Sequence, residues 1–151
     1  MANENNTLLL SPKYSLDIYN VNDNKEKHID VVEKFISGAS FSPDESSVLL
    51  SYNETLNNPV SRVVEIDVNT KKVKELFTSN SKYLKIRTVN YDKKKKGFFF
   101  LSSLSDNPKN YNALKLPKES VLSYYDIKED KLQDIRSTDN GIIVSYSVGI
   151  R

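Results

Sequence analysis

Cysteine is absent from the 151 residues, which excludes disulfides and thiolate metal sites and leaves the redox compartment unreadable. Histidine occurs once, as His28, so a Ser-His-Asp or Cys-His machine would have to use that ring, and no nucleophile motif lies near it. The four glycines, Gly38, Gly97, Gly141 and Gly149, are too dispersed for a glycine-rich phosphate loop. No run of about 18 apolar residues exists, so no membrane-crossing helix is expected. The net charge of +2 is too small to draw a nucleic acid or a membrane surface by long-range attraction. Residues 1–6 carry neither a basic n-region nor an apolar h-region, so the expectation is a cytoplasmic protein, or a bacterial extracytoplasmic one from which a leader has been removed.

What remains is a polar globular composition: 38% hydrophobic, 28% charged and 10% aromatic residues, with a mean hydropathy of −0.54. The aromatics argue against disorder, and half-buried strands with one wet face would produce such numbers. The length suits one domain, residues 1–151. Lysine and asparagine far outnumber arginine, the usage of an AT-rich bacterial genome or its phage.

The stretch 41–52, Phe-Ser-Pro-Asp-Glu-Ser-Ser-Val-Leu-Leu-Ser-Tyr, reads as a hairpin. Pro43 pre-sets φ for the second position of a type I turn, Ser42 and Asp44 can bond nearby amides, and Val48, Leu49 and Leu50 favour a strand. Three other hairpins share one pattern of apolar residue, Asn or Asp, β-branched residue, three turn residues and lysine. They are 19–25, 66–72 and 125–131, offset by 47 and then 59 positions. The twelve-residue surplus falls in the long loop 104–119, where insertions are tolerated. Residues 41–44 also align with Val89-Asn90-Tyr91-Asp92 at an offset of 48.

These repeats predict an all-β architecture in units of four antiparallel strands. A partial unit spans 7–35, of which 27–35 reads as a strand, favoured over a helical turn by what recurs later. Complete units span 36–78 and 83–137, and a closing strand covers 141–150.

Phe41-Ser-Pro-Asp44 followed by Val48-Leu-Leu, with the later run Glu65-Ile-Asp-Val68 and its Asn-Thr-Lys turn, resembles a blade of the TolB-like (WD-repeat-like) β-propellers. The likeness extends over about residues 7–150. It departs from the family at Glu45, where a turn glycine is usual, and at Thr70, which no glycine follows. The resemblance implies blades, a velcro-like terminal strand and a non-catalytic module that docks a protein or peptide through its long-loop rim or its channel. No cofactor and no metal are expected, nor is a nucleic-acid partner or membrane insertion. The alternative is an enzyme-associated propeller, either a hydrolase gating domain or a lactonase-like metal-dependent hydrolase.

Three blades are fewer than the four to eight of propeller rings. Two chains are therefore expected to pair as a homodimer forming a six-bladed ring, each one's 141–150 strand joining the 7–10 sheet of its partner. A piece of a longer ring and a closed three-sheet body are the other readings. The turns at 43–47, 92–97, 22–25, 69–72 and 128–131 are assigned to one rim. On the opposite rim Asn57, Asn58, Tyr83, Lys109, Tyr111 and Asn112 are the candidate binding residues, because long loops on rigid scaffolds carry function. The lysine run 93–96 reads as a solvated hairpin tip and Phe98-Phe99-Phe100 as a buried strand.

Overall fold

In a computed structural model the described residues are 6–10, 15–30, 35–80, 82–104 and 119–149. They form strands and no helix: β1 (Asn6–Leu10), β2 (Ser15–Asn20), β3 (Lys25–Asp30), β4 (Phe35–Phe41), β5 (Ser47–Asn53), β6 (Ser61–Asp67), β7 (Val73–Thr78), β8 (Tyr83–Tyr91), β9 (Gly97–Leu104), β10 (Ser120–Asp126) and β11 (Lys131–Ser137). Three antiparallel sheets result, β1-β2-β3, β4-β5-β6-β7 and β8-β9-β10-β11. Among the described residues the first sheet has three strands where the other two have four, in keeping with the partial repeat. Of the segment 27–35, residues up to Asp30 belong to β3, and 31–34 lie outside the described residues.

The alternation along each strand decides the packing, because successive side chains face opposite sides of a sheet. On β5, Val48 and Leu50 join Leu16, Ile18 and Ile29 of the first sheet, whereas Leu49 joins Phe98 and Phe100 of the third. Every residue of β5 is therefore buried, and the middle sheet is the filling between two cores. This is how a chain with few apolar residues sustains a fold: each one serves an interface between sheets. The fourth strands, β7 and β11, are largely exposed. The first strands converge, with β4 packed against β8. A Cβ at Gly38 would stand 2.9 Å from the Thr88 amide nitrogen, so only glycine permits this approach.

The turns explain the departures from the family pattern. In each of the five the left-handed position is held by a residue other than glycine: Asn24, Glu45, Lys71, Lys95 and Asp130, with φ between 49° and 59°. Side-chain acceptors compensate. Asp44 accepts from the Ser46 amide at 3.1 Å and the Ser42 hydroxyl at 2.6 Å, and Asp92 accepts from the Lys94 and Lys96 amides at 2.9 Å.

These bonds also correct the alignment of the two hairpins. Ser42 N–H donates to Ser47 O and Asp92 N–H to Gly97 O, and Glu45 matches Lys95. Phe41 is thus equivalent to Tyr91, two positions later than the sequence offset suggests. β8 carries register shifts on both sides of Arg87 and β4 a single one between Ile36 and Gly38, so the strands leading into the two hairpins differ in length.

At the turn end, Val68 N–H donates to Ser46 O and Ile127 N–H to Lys96 O, each at 3.0 Å, so both turns of a sheet share one rim. Lys71 Nζ reaches the His28 carbonyl at 3.1 Å, and Lys27 Nζ bonds the Val68 carbonyl, tying the first sheet to the second. Within the lysine run, Lys93, Lys94 and Lys96 are exposed. Lys95 instead bridges to the middle sheet, 3.3 Å from Ser46 Oγ and 3.6 Å from Glu65. Phe98 and Phe100 are buried, and Phe99 is half-buried against Tyr124 at 4.9 Å.

Residues 142–149, read from the sequence as a strand, pair with no strand of this chain among the described residues. They are tied to the third sheet. Ile143 N–H donates to Ser120 Oγ at 2.7 Å, and the Tyr146 hydroxyl donates to the Phe99 carbonyl at 2.7 Å.

Candidate binding site on the inner strands

The six residues nominated from the sequence do not gather into one site. Asn57 is exposed on the β5–β6 loop. Asn58 is part of that loop's framework, its carbonyl accepting from Asn53 Nδ2 at 2.8 Å and its Oδ1 accepting from the Val60 amide at 3.0 Å. Tyr83 is buried at the start of β8, its hydroxyl 3.1 Å from Asp134 of β11. Lys109, Tyr111 and Asn112 lie outside the described residues.

A different set stands out. Buried polar side-chain atoms normally find partners. Among the described residues the buried ones without a partner are Ser40 Oγ on β4, Arg87 Nε and Nη2 on β8, and Ser102 and Ser103 Oγ on β9. All five atoms lie on the first two strands of the second and third sheets. Three of the four residues are adjacent in register, since Leu84 pairs with Ser103 and Arg87 with Leu101. The fourth, Ser40, is two positions from the Gly38 contact with Thr88.

The backbone is strained at the same place. Lys85 and Thr88 have φ of 51° and 48°, and a β-branched residue there is a genuine outlier. Such strain persists only where surrounding structure enforces it, and it clusters at functional sites. Tyr146 supplies part of that enforcement, its hydroxyl lying 3.2 Å from the Thr88 carbonyl and accepting from Asn90 Nδ2 at 3.0 Å.

Arg87 is the chemically decisive member. A guanidinium stays charged and presents N–H groups in a fixed fork that matches a carboxylate. Two of its nitrogens are withdrawn from water with nothing to bond. Arg62, by contrast, pairs with Glu75 at 2.6 Å and Glu54 at 3.3 Å on the outer side of the middle sheet. The sequence carries a signal that was available: in a chain that prefers lysine, Arg87 sits inside an apolar-rich strand, Tyr-Leu-Lys-Ile-Arg-Thr-Val.

The other polar contacts between sheets are satisfied. Tyr91 donates to Glu65 at 2.5 Å, and Ser47 Oγ lies 3.3 Å from the same carboxylate. Burial and the Glu65 carboxylate push the Tyr91 hydroxyl well above the ordinary tyrosine range. A cavity of about 510 Å³ opens at the turn rim between Lys95, Lys96, Asp126, Ile127, Lys128 and Glu129, where lysines and carboxylates are mixed. Among the described residues no group of three His, Asp or Glu side chains could hold a metal.

Two tyrosines make the alkaline limit of the fold testable. Burial first, and for Tyr125 its bond to Asp130 at 2.5 Å, push Tyr125 and Tyr146 up to about 12. A pKa raised on folding gives stability that is complete below the unfolded value of about 10 and is lost as pH rises through the folded value. The melting temperature is expected to fall between about pH 10 and 12. Tyr125→Phe should flatten that fall; a profile unchanged by the substitution would show that this hydroxyl is not linked to folding.

No family model and no curated protein matches the chain. Solved structures do. An oligogalacturonate lyase from Vibrio parahaemolyticus superposes with a TM-score of 0.65 at 13% identity, over 93% of this chain and 39% of that one. A putative TolB from Agrobacterium tumefaciens gives 0.65 at 11% identity, over 87% and 44%. The β-propeller domain of the Trilobed protease from Pyrococcus furiosus gives 0.50 at 13% identity, over 82% and 33%. The chain thus spans less than half the length of each of these three, and the likeness is one of fold. The three sheets are propeller blades, and β4 and β8 are the strands nearest the propeller axis.

Proposed function

We propose that this chain is a propeller-type docking module whose axial wall, centred on Arg87, receives an acidic group of a protein or peptide partner. The observation that carries the reading is the Arg87 guanidinium, with two buried nitrogens lacking any acceptor on a strained inner strand. A buried unpaired charge is costly in the free protein, and a carboxylate entering from a partner would offset that cost at the moment of binding.

The reading makes an unusual demand on stability. Arg87→Met removes an unsatisfied charge while keeping its packing, so the free protein should be as stable as the parent or more so, by up to about 1 kcal/mol in urea unfolding. Peptides selected from a random display library on the parent protein should be rich in Asp and Glu. They should bind Arg87→Met at least about tenfold more weakly, since truncating one member of a buried ion pair costs about 2 kcal/mol or more. A variant that is markedly destabilised would make Arg87 a structural residue. Selected peptides that bind both proteins alike would remove it from the site.

A second reading, in which such a blade set serves an enzyme, draws support from the likeness in fold to a part of an oligogalacturonate lyase and of a protease. Esterase and lactonase activity, or stoichiometric metal in the purified protein, would support that reading over the first.

A further inference from the structure

We infer that Tyr146 is the positioning residue of the Arg87 site: segment 142–149 is a strap on the third blade, and its tyrosine hydroxyl holds the strained turn of β8 that aims the Arg87 guanidinium. This rests on the reading of Arg87 as the contact for an acidic group, and it adds what keeps that contact in place.

Register puts the two residues on the same side of the sheet. Arg87 pairs with Leu101 and Asn90 with Phe99. Residues 99 and 101 are two apart on β9 and point the same way, so Arg87 and Asn90 do too. Asn90 Nδ2 donates to the Tyr146 hydroxyl at 3.0 Å, which makes that side the one the strap meets. Phe98 and Phe100 point the other way, into the core shared with the middle blade.

The hydroxyl spans the break in the β8–β9 ladder. The register shifts between Arg87 and Val89, and Thr88 sits at the shift with φ of 48°. A β-branched residue resists that conformation, so something must hold it there. The Thr88 hydroxyl donates to the Arg87 carbonyl at 2.7 Å on one side of the turn. On the other, the Tyr146 hydroxyl lies 3.2 Å from the Thr88 carbonyl and 2.7 Å from the Phe99 carbonyl, bridging β8 to β9. Burial pushes this hydroxyl up to about 12, so the donor keeps its proton at any ordinary pH.

The strap is placed by a joint that the chain uses twice. Ser61 N–H donates to Ser79 Oγ, Ser79 N–H returns to Ser61 O, and Ile86 N–H on β8 donates to Ser61 Oγ, at 2.8, 2.8 and 2.9 Å. Ser120 N–H donates to Thr138 Oγ1, Thr138 N–H returns to Ser120 O, and Ile143 N–H donates to Ser120 Oγ, at 3.1, 3.0 and 2.7 Å. Ile143 thus stands where Ile86 stands, and Tyr146 where Val89 does. Val89 is a buried core side chain, whereas Tyr146 brings a hydroxyl to backbone carbonyls. From the middle blade Gly38 approaches the Thr88 amide so closely that a Cβ would stand 2.9 Å from it. Thr88 is therefore confined from both sides, by Gly38 and by Tyr146.

The free protein gives the first readout. The Arg87 Nε–H signal in an NMR spectrum reports how firmly the guanidinium is held, and Tyr146→Phe should lower its order parameter. Amide exchange at Thr88 and Asn90 should rise at least about tenfold, with β5 and β6 amides unchanged. The second readout is a display-selected peptide rich in Asp and Glu. Tyr146→Phe should weaken it at least about fivefold, since it leaves carbonyls without their donor. Arg87→Met should cost less on the Tyr146→Phe background than on the parent, because the two residues act as a unit. Thr88→Gly supplies the rescue: glycine takes a positive φ without strain, so adding Tyr146→Phe to it should change peptide binding by less than about twofold. Ser120→Ala loosens the strap at its other end and should act in the same direction as Tyr146→Phe, which keeps the test available should that protein fail to fold.

An Nε–H signal and a peptide affinity that Tyr146→Phe leaves unchanged, while Arg87→Met abolishes binding, would overturn the inference and leave the reading of Arg87 standing. A loss additive with Arg87→Met that Thr88→Gly does not rescue would make Tyr146 a general structural residue and overturn it as well. Peptides indifferent to Arg87→Met would remove the reading instead. The Nε–H signal alone would then decide, the inference standing if Tyr146→Phe loosens the guanidinium and falling otherwise.

Discussion

Gly97→Ala is expected to destabilise the protein by about 3 kcal/mol, near the upper end for an overpacked position. The reason is not turn geometry. Gly97 opens β9 opposite Asp126, and a Cβ there would stand 2.2 Å from the Tyr125 carbonyl oxygen and 2.5 Å from the Tyr124 hydroxyl. The first of these is backbone, so relief requires β10 to move away from β9 at the point where Tyr124 donates to Asp92 at 2.7 Å. The middle blade shows what the space is for. Its equivalent of Gly97 is Ser47, which faces Glu65 rather than a tyrosine and keeps its Cβ without penalty. Gly149→Ala is the control, because nothing lies within 4 Å of that position, and it should stay within about 0.5 kcal/mol of the parent. Urea unfolding followed by circular dichroism measures both. A loss below about 1 kcal/mol at Gly97 would mean that the β9–β10 pair yields more easily than a packed sheet should.

Much of this architecture is legible in the chain. Strand positions follow from alternation and turn residues, and the grouping of strands into blades follows from the three lysine-ended hairpins, because period and turn chemistry are local properties. What escaped is non-local. The two-residue offset between the Phe41 and Tyr91 hairpins depends on register shifts in β8, which only pairing with β9 reveals. The seam serines Ser61 and Ser120 look like ordinary strand starts until the next blade's amide arrives to bond them. Spacing and loop length point to the long loops, where binding residues often lie. Asn58 and Tyr83 are instead held by Val60, Asn53 and Asp134, while two guanidinium nitrogens of Arg87 are unpaired on an inner strand. A missing partner is a property of three-dimensional surroundings, and sequence spacing does not record it.

Phe100→Ala should be the most damaging single truncation in the core, at about 3–5 kcal/mol. Phe100 is fully buried, and its ring lies 5.4 Å from Phe77 of the middle blade and 6.0 Å from Phe98 of its own. It packs with Leu49 and Val63 across the junction, so the cavity would open between blades rather than within one. Inter-blade walls are sheets fixed by their own ladders and cannot collapse onto the void, which places the cost toward the upper part of the range. Against a total stability of about 5–15 kcal/mol, this is a third or more of what holds the domain together. Phe99→Ala provides the contrast on the neighbouring residue, since that ring is half-buried and stacks on Tyr124 at 4.9 Å; about 1 kcal/mol is expected there. Denaturant titrations should keep one cooperative transition in both variants, because the middle blade's β5 belongs to both cores and couples them. A Phe100→Ala protein that unfolded in two steps, the third blade first, would show that the blades are separable units and that the shared strand does not transmit the loss.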